Sequence, residues 1–270
     1  MKLYLFLFVT LFFINACVSQ VDESSTLSHF IINGNEQAKN GYFYQALDEY
    51  QKAYDINPNY EILLRNMAIV NVKIHEYKKS LEFFSQVKNQ YFDDEEFFYY
   101  YGEAFRALDF QSEAIECYKK AIAISSDDLR PKKSLAFLYY QRGEISLSEK
   151  MILSVYEEDK NDLQAMTILG KIYNQKKMYA ETILTFTNFE KTHFKVFGED
   201  FSQNEKERSN LLNILGEAYI GQGSCEKGLS LFKLATDIKP HLNPNLANTT
   251  RCNLKEIQSL NAIDNYHHLK

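Results

Sequence analysis

Nowhere in the 270 residues is there a G-x-S-x-G, an H-E-x-x-H, a Walker loop or a C-x-x-C. Those absences remove the short motifs that announce serine hydrolases, zinc proteases, phosphate-gripping NTPases and dithiol oxidoreductases. The six histidines are scattered. His75-Glu76 has no second histidine four residues on, and His267-His268 sits in the terminal tail, so no metal ligand set is expected. The carboxylate run Asp93-Asp94-Glu95-Glu96 stands where a helix is expected to begin, and acids there complement the helix dipole. The expectation is a chain with no catalytic residues, no metal, no cofactor and no small-molecule substrate. Basic excess is also missing: 30 Lys and Arg stand against 36 Asp and Glu, a formal charge of −6, with no basic stripe interleaved by aromatics. That excludes a nucleic-acid partner. Tryptophan is absent, and proline (4) and glycine (10) are scarce beside 19 tyrosines and 20 phenylalanines. This composition suits an all-helical array whose interior is filled with aromatic rings.

What is present is a period. Gly34, Ala68, Gly102, Ala136 and Gly170 are each 34 residues apart, and Gly216 follows after one interruption. A large apolar residue recurs in the same frame at Tyr50, Phe84, Tyr118, Ile152, Phe186 and Phe232. Small residues let two antiparallel helices cross closely, and large ones fill the groove beside the crossing. The first unit runs 27–60, with Ala46, Tyr50, Ala53 and Pro58 on its second helix. Further units are 61–94, 95–128, 129–162, 163–196 and, after an insert at 197–208, 209–242. Ser80, Ser148, Thr182 and Gly228 replace the second-helix alanine, and Val87, Val155 and Phe189 replace the small residue after it. The insert reads as a partner-specific loop or as a lengthened second helix of the fifth unit. Beyond the prolines at 240 and 244, Leu254, Ile257, Leu260 and Ile263 make the apolar stripe of a terminal helix. Residues 243–270 are therefore expected to cap the last unit.

Met166, Leu169, Gly170 and Tyr173 in the fifth unit, and Leu212, Leu215, Gly216 and Tyr219 in the sixth, stand where tetratricopeptide (TPR) repeats carry W, L, G and Y. The chain resembles that family along 27–242. The resemblance implies an all-α fold, a right-handed TPR solenoid of about six helix-turn-helix repeats with a C-terminal capping helix. It also implies a concave groove that receives protein or peptide segments, built from positions 2, 5, 9 and 12 of each first helix. Those positions include Ile31, Asn35, Arg65, Ile69, Val72, Tyr99, Glu103, Arg106, Arg130, Lys133, Phe137, Tyr140, Lys171 and Asn174. The carboxylate-clamp pattern of chaperone-binding members is mostly absent. Asn35 and Asn66 match it, whereas Ile31, Glu96 and Tyr100 replace its basic residues.

At the N-terminus, Lys2 precedes the apolar run Leu3 to Ile14, an export signal too short to span a bilayer as a mature helix. Ile14-Asn15-Ala16-Cys17 resembles the lipobox of bacterial lipoproteins, which implies removal of residues 1–16, lipidation of Cys17 and a polar tether over 17–26. More than one acyl chain on that residue gives stable anchoring. Val18, not aspartate, follows the cysteine, and the resemblance then implies a bacterial envelope lipoprotein of the outer membrane that faces the periplasm. In that oxidising setting Cys225 and Cys252 are candidates to pair, contributing about 3 kcal/mol by loop entropy. Cys117 is also available, so the connectivity stays open, although Cys117 reads as a small buried hydrophobe. A repeat lipoprotein of this kind is similar to the pilotin and pilus-stability lipoproteins of type IV pilus systems, which implies a scaffold in pilus or secretin assembly. The alternative is a general adaptor for cell-envelope enzymes or outer-membrane protein assembly.

Overall fold

A computed structural model describes residues 24–87, 93–192 and 205–238. These form twelve helices and, among the described residues, no strand. In chain order they are α1 (24–39), α2 (Phe43–Ile56), α3 (Glu61–Lys73), α4 (Tyr77–Gln86), α5 (Glu95–Ala107), α6 (Gln111–Ile124), α7 (Leu129–Gln141), α8 (Ile145–Glu158), α9 (Leu163–Gln175), α10 (Tyr179–Thr192), α11 (Glu205–Gly221) and α12 (Cys225–Ile238). They pair in sequence as six antiparallel hairpins. The starts of α3, α5, α7 and α9 fall at 61, 95, 129 and 163, one 34-residue step apart.

One turn joins the two helices of every pair. Its key residue has positive φ: Gly41 (82°), His75 (67°), Asp109 (64°), Gly143 (76°), Lys177 (60°) and Gly223 (86°). The N–H that follows each one reaches back to close the first helix, as in Glu76 N to Asn71 O (2.8 Å) and Met178 N to Tyr173 O (2.8 Å). The residue itself bonds inside that ring, as in His75 N to Val72 O (3.0 Å). This is the Schellman arrangement, which satisfies carbonyls that the end of a helix leaves open.

The chain divides into two compact units, Met1–Pro131 and Lys132–Lys270, with the division in the first turn of α7. Repeat arrays make mostly neighbour contacts, so a single periodic stretch separates readily into such units. Pro131 is the third residue of α7, where a missing N–H costs the helix nothing. In the first unit the buried centre comprises Tyr50, Leu63, Met67, Phe84, Phe97, Phe98 and Tyr118. Phe84 stands edge-on to Phe97 at 5.0 Å and stacks on Tyr101 at 4.9 Å. In the second unit Ile152, Met166, Leu169, Ile172, Phe186, Leu211, Leu212 and Phe232 play that part. Each large anchor that the period marks is at most 3% exposed, a burial that contributes roughly 1.5–3 kcal/mol per side chain.

Two sequence expectations change. The expected insert 197–208 ends early: residues 205–208 form the first turn of the 17-residue α11, where Glu205 and Glu207 complement the helix dipole, and Ser209 is buried and donates from Oγ to Ala235 O at 3.1 Å. Ser80 and Ser148, which replace the second-helix alanine, donate across the helix pair to Ala68 O (2.9 Å) and Ala136 O (2.7 Å), and Thr182, at the same position, donates to Asn174 Oδ1 (2.9 Å). Each is a buried hydroxyl with a partner. The signal segment 1–16, Cys17, the tether, the rest of the insert (197–204) and the capping segment 243–270 lie outside the described residues.

Candidate functional site

The first helices of each unit carry the polar positions of the candidate groove, and in both units these line a cleft. That of the first unit, ≈ 390 Å³, is bounded by α1, α2, α3 and Glu96 of α5. Its polar side chains hold one another. Tyr50 Oη donates to Asn35 Oδ1 at 2.7 Å, and Asn66 Nδ2 donates to the same oxygen at 2.8 Å. Arg65 Nη1 donates to Asn66 Oδ1 (3.2 Å), Nε and Nη2 grip Asp94 (2.5 and 3.0 Å), and Nη2 also reaches Glu96 (3.0 Å). Burial alone would lower the pKa of Arg65, but the hydrogen bonds and charges of Asp94 and Glu96 raise it. Asp94 is meanwhile the N-cap of α5, accepting from Phe97 N at 2.8 Å.

The other candidate groove residues of this unit fall into two groups. Ile31 and Val72 are 7% exposed and belong to the hydrophobic core, which corrects their assignment to a free surface: each packs between neighbouring hairpins instead. Ile69, 6% exposed, is also core but keeps an edge in the cleft wall. Tyr99, Glu103 and Arg106 are half-buried and Arg130 is exposed, but their charges are matched. Arg106 pairs with Glu103 (2.6 Å), which also accepts from Tyr118 Oη (2.6 Å). Arg130 pairs with Asp128 (2.8 Å) and lies 4.7 Å from the Tyr99 ring centre. Burial first, and the Glu103 charge second, push the Tyr99 hydroxyl up to about 12.

In the second unit Lys133 repeats the part of Arg65. Its Nζ meets Asp162 at 2.6 Å, and Asp162 caps α9 by accepting from Ala165 N (2.8 Å). Phe137 is half-buried. A cleft of ≈ 550 Å³ opens among α7, α9, the α9–α10 turn and α11, lined by Tyr140, Lys171, Asn174, Gln175, Lys177, Tyr179, Asn210, Asn213, Ile214, Glu217, Ile220 and Gly221. Asn174 ties its walls together. Its Nδ2 donates to Ile214 O (2.8 Å) and, more weakly, to Glu217 Oε2 (3.4 Å), while its Oδ1 accepts from Thr182 Oγ1 (2.9 Å). Burial, then the Glu217 charge, raise the pKa of Tyr140. Asn210, Asn213 and Glu217 are absent from the candidate groove residues read off the sequence, although they occupy positions 2, 5 and 9 of the sixth repeat. Carrying the same register one repeat further finds them.

Cys117 is free and buried, and burial pushes its thiol up to about 12. Cys225 is buried and disulfide-bonded; Cys252 lies outside the described residues. Among the described residues no group of three or more His, Cys, Asp and Glu could hold a metal ion, and no helix is long and apolar enough to cross a membrane.

No protein-family model matches the sequence. A curated protein of Methanocaldococcus jannaschii, the TPR repeat-containing protein MJ1428, is 26% identical over 188 residues, 64% of this chain. This chain spans a third of that relative's length, 33%. The solved structure of Pseudomonas aeruginosa pilF superimposes with a TM-score of 0.64 at 13% identity, over 88% of this chain and 99% of its own. That of YrrB, described as a TPR protein with an unusual peptide-binding site, gives 0.55 at 18% identity, over 72% and 93%. The fold is a tetratricopeptide fold. In tetratricopeptide terms, Gly34, Gly102, Gly170 and Gly216 are the small crossing residues of first helices. A Cβ on each would come within 2.3–2.7 Å of a neighbouring side chain, the second-helix ring of the same repeat at Gly34, Gly102 and Gly216.

Proposed function

We propose that this chain is a non-enzymatic tetratricopeptide scaffold, anchored to the bacterial envelope through lipidated Cys17, that holds segments of other proteins during assembly of a type IV pilus or its secretin. The observation that carries the binding role is the placement of amide, phenol and ammonium side chains along the first helices of both units, where they line clefts of a size and polarity that suit a polypeptide strand. The pilus assignment draws on the lipobox at Ile14-Asn15-Ala16-Cys17 together with likeness of fold to pilF. That likeness is one of architecture.

The test is a crosslinked pull-down of the full-length protein from native envelopes, read by mass spectrometry, with Cys17→Ser in parallel. The expected result has secretin or pilus-assembly proteins enriched on the wild type. Cys17→Ser should move from the membrane fraction to the soluble periplasm. Enrichment of envelope enzymes or outer-membrane assembly factors would replace the pilus role with that of a general adaptor, and membrane retention of Cys17→Ser would overturn the lipid anchor.

A further inference from the structure

Five cations stand among the candidate groove residues, and four of them are spent inside the protein: Arg65 on Asp94 and Glu96, Arg106 on Glu103, Arg130 on Asp128 and Lys133 on Asp162. Lys171 is the exception. It is half-buried in the wall of the ≈ 550 Å³ cleft of the second unit, and no carboxylate among the described residues pairs with it. A second group in the same cleft is also unmatched. Asn213 Oδ1 is buried and accepts no hydrogen bond from the described residues. A buried acceptor left in that state is costly, which makes it a place where an incoming N–H gains more than it would on an open surface.

From these two groups we infer that the cleft of the second unit accepts an acidic peptide segment, gripped by its main chain at Asn213 and by a carboxylate at Lys171. The inference rests on the peptide-holding role proposed above. An ammonium only donates and needs an oxygen; a bare amide oxygen only accepts and needs an N–H. An extended peptide supplies N–H and C=O groups alternately, and Asn210 and Gln175, on the same walls, offer both donors and acceptors to continue that pattern. Charge selects the side chains. Lys171 and Lys177 face the cleft against one carboxylate, Glu217, which is already engaged by Asn174. A basic segment would therefore meet a net positive lining, two ammonium groups against one carboxylate, whereas an acidic one gains a charge-assisted hydrogen bond in a partly desolvated place. The first unit's cleft has an exposed ammonium at Lys39 but, among the described residues, no buried unmatched acceptor beside it. Its guanidinium is doubly paired, and its asparagines bond to Tyr50 and to each other.

A random-peptide phage library panned on the full-length protein tests this, with the selected peptides then synthesised and titrated calorimetrically against wild type, Lys171→Glu, Lys171→Gln, Asn213→Leu and, as a control on the first cleft, Lys39→Glu. Circular dichroism checks that each variant is folded. The selected peptides should be rich in Asp and Glu and bind more weakly as salt rises. Lys171→Glu should lower affinity about tenfold or more, Lys171→Gln less, Asn213→Leu several-fold and Lys39→Glu less than twofold. Should Lys171→Glu perturb the fold, the folded Lys171→Gln variant carries the comparison. Neutral or basic consensus peptides, or binding that ignores Lys171 and Asn213, would overturn this site while leaving a peptide-holding scaffold in place. Failure to select any peptide would overturn both.

Discussion

Gly102 sits in the middle of α5, where glycine costs roughly 0.5–1 kcal/mol relative to alanine. The reason is across the hairpin: a Cβ there would fall 2.7 Å from the Tyr118 ring, which is fully buried. Gly143 is constrained differently. A Cβ there would meet nothing within 4 Å, but φ is +76°. Two substitutions of the same size are thus expected to fail for different reasons. Gly102→Ala should lower stability by about 1–3 kcal/mol through overpacking, and adding Tyr118→Ile should recover part of the loss, since the fourth repeat has Ala136 and Ile152 at those two positions. Gly143→Ala should cost about 1 kcal/mol through backbone strain alone, with no rescue by Ile152 variants. Thermal unfolding followed by circular dichroism compares them. A Gly102→Ala variant more stable than wild type would show that the ring contact does not dictate glycine there. The small and large residues were legible in the sequence because they recur every 34 positions. The turn positions do not recur as one residue type: glycine fills three of them, and His75, Asp109 and Lys177 carry the same positive φ without announcing it.

At the scale of the helix, one side chain closes each of two junctions between consecutive repeats. Asp94 caps α5 and binds Arg65 of α3; Asp162 caps α9 and binds Lys133 of α7. The cation of one first helix thus holds the start of the next, 29 residues on. Asp94→Ala should cost about 2–3 kcal/mol, about 1 from the cap and the rest from a largely buried guanidinium stripped of its bidentate partner. Asp94→Asn, which keeps the cap and loses the charge, should cost less. Chemical denaturation of the two variants measures the difference, and equal losses would mean that the cap contributes nothing beyond the ion pair. By register alone Arg65 and Lys133 belong to the groove surface. Their partners lie on the following repeat, and a periodic pattern read within one repeat at a time does not show which charges meet across the junction. The hydroxyls of Ser80 and Ser148 were hidden for the same reason, because their acceptors are carbonyls, which no sequence pattern displays.

For the molecule as a whole, the all-helical tetratricopeptide fold followed from period and composition, while the binding site did not. Fourteen groove positions looked equivalent by register. Packing took Ile31, Ile69 and Val72 into the core, ion pairing consumed Arg65, Arg106, Arg130 and Lys133, and Asn174 became a tie between helices. What distinguishes the second cleft is that, among the described residues, Lys171 has no ion pair and the buried Asn213 Oδ1 accepts no hydrogen bond. Hydrogen exchange on the full-length protein, with and without a peptide selected by panning, tests most directly whether the chain works as a peptide-holding scaffold through its second cleft. Slowed exchange concentrated in Leu163–Gln175 and Glu205–Gly221 is the predicted result. Protection confined to 24–39 and Glu61–Lys73, or no protection at all while the peptide is bound, would contradict it.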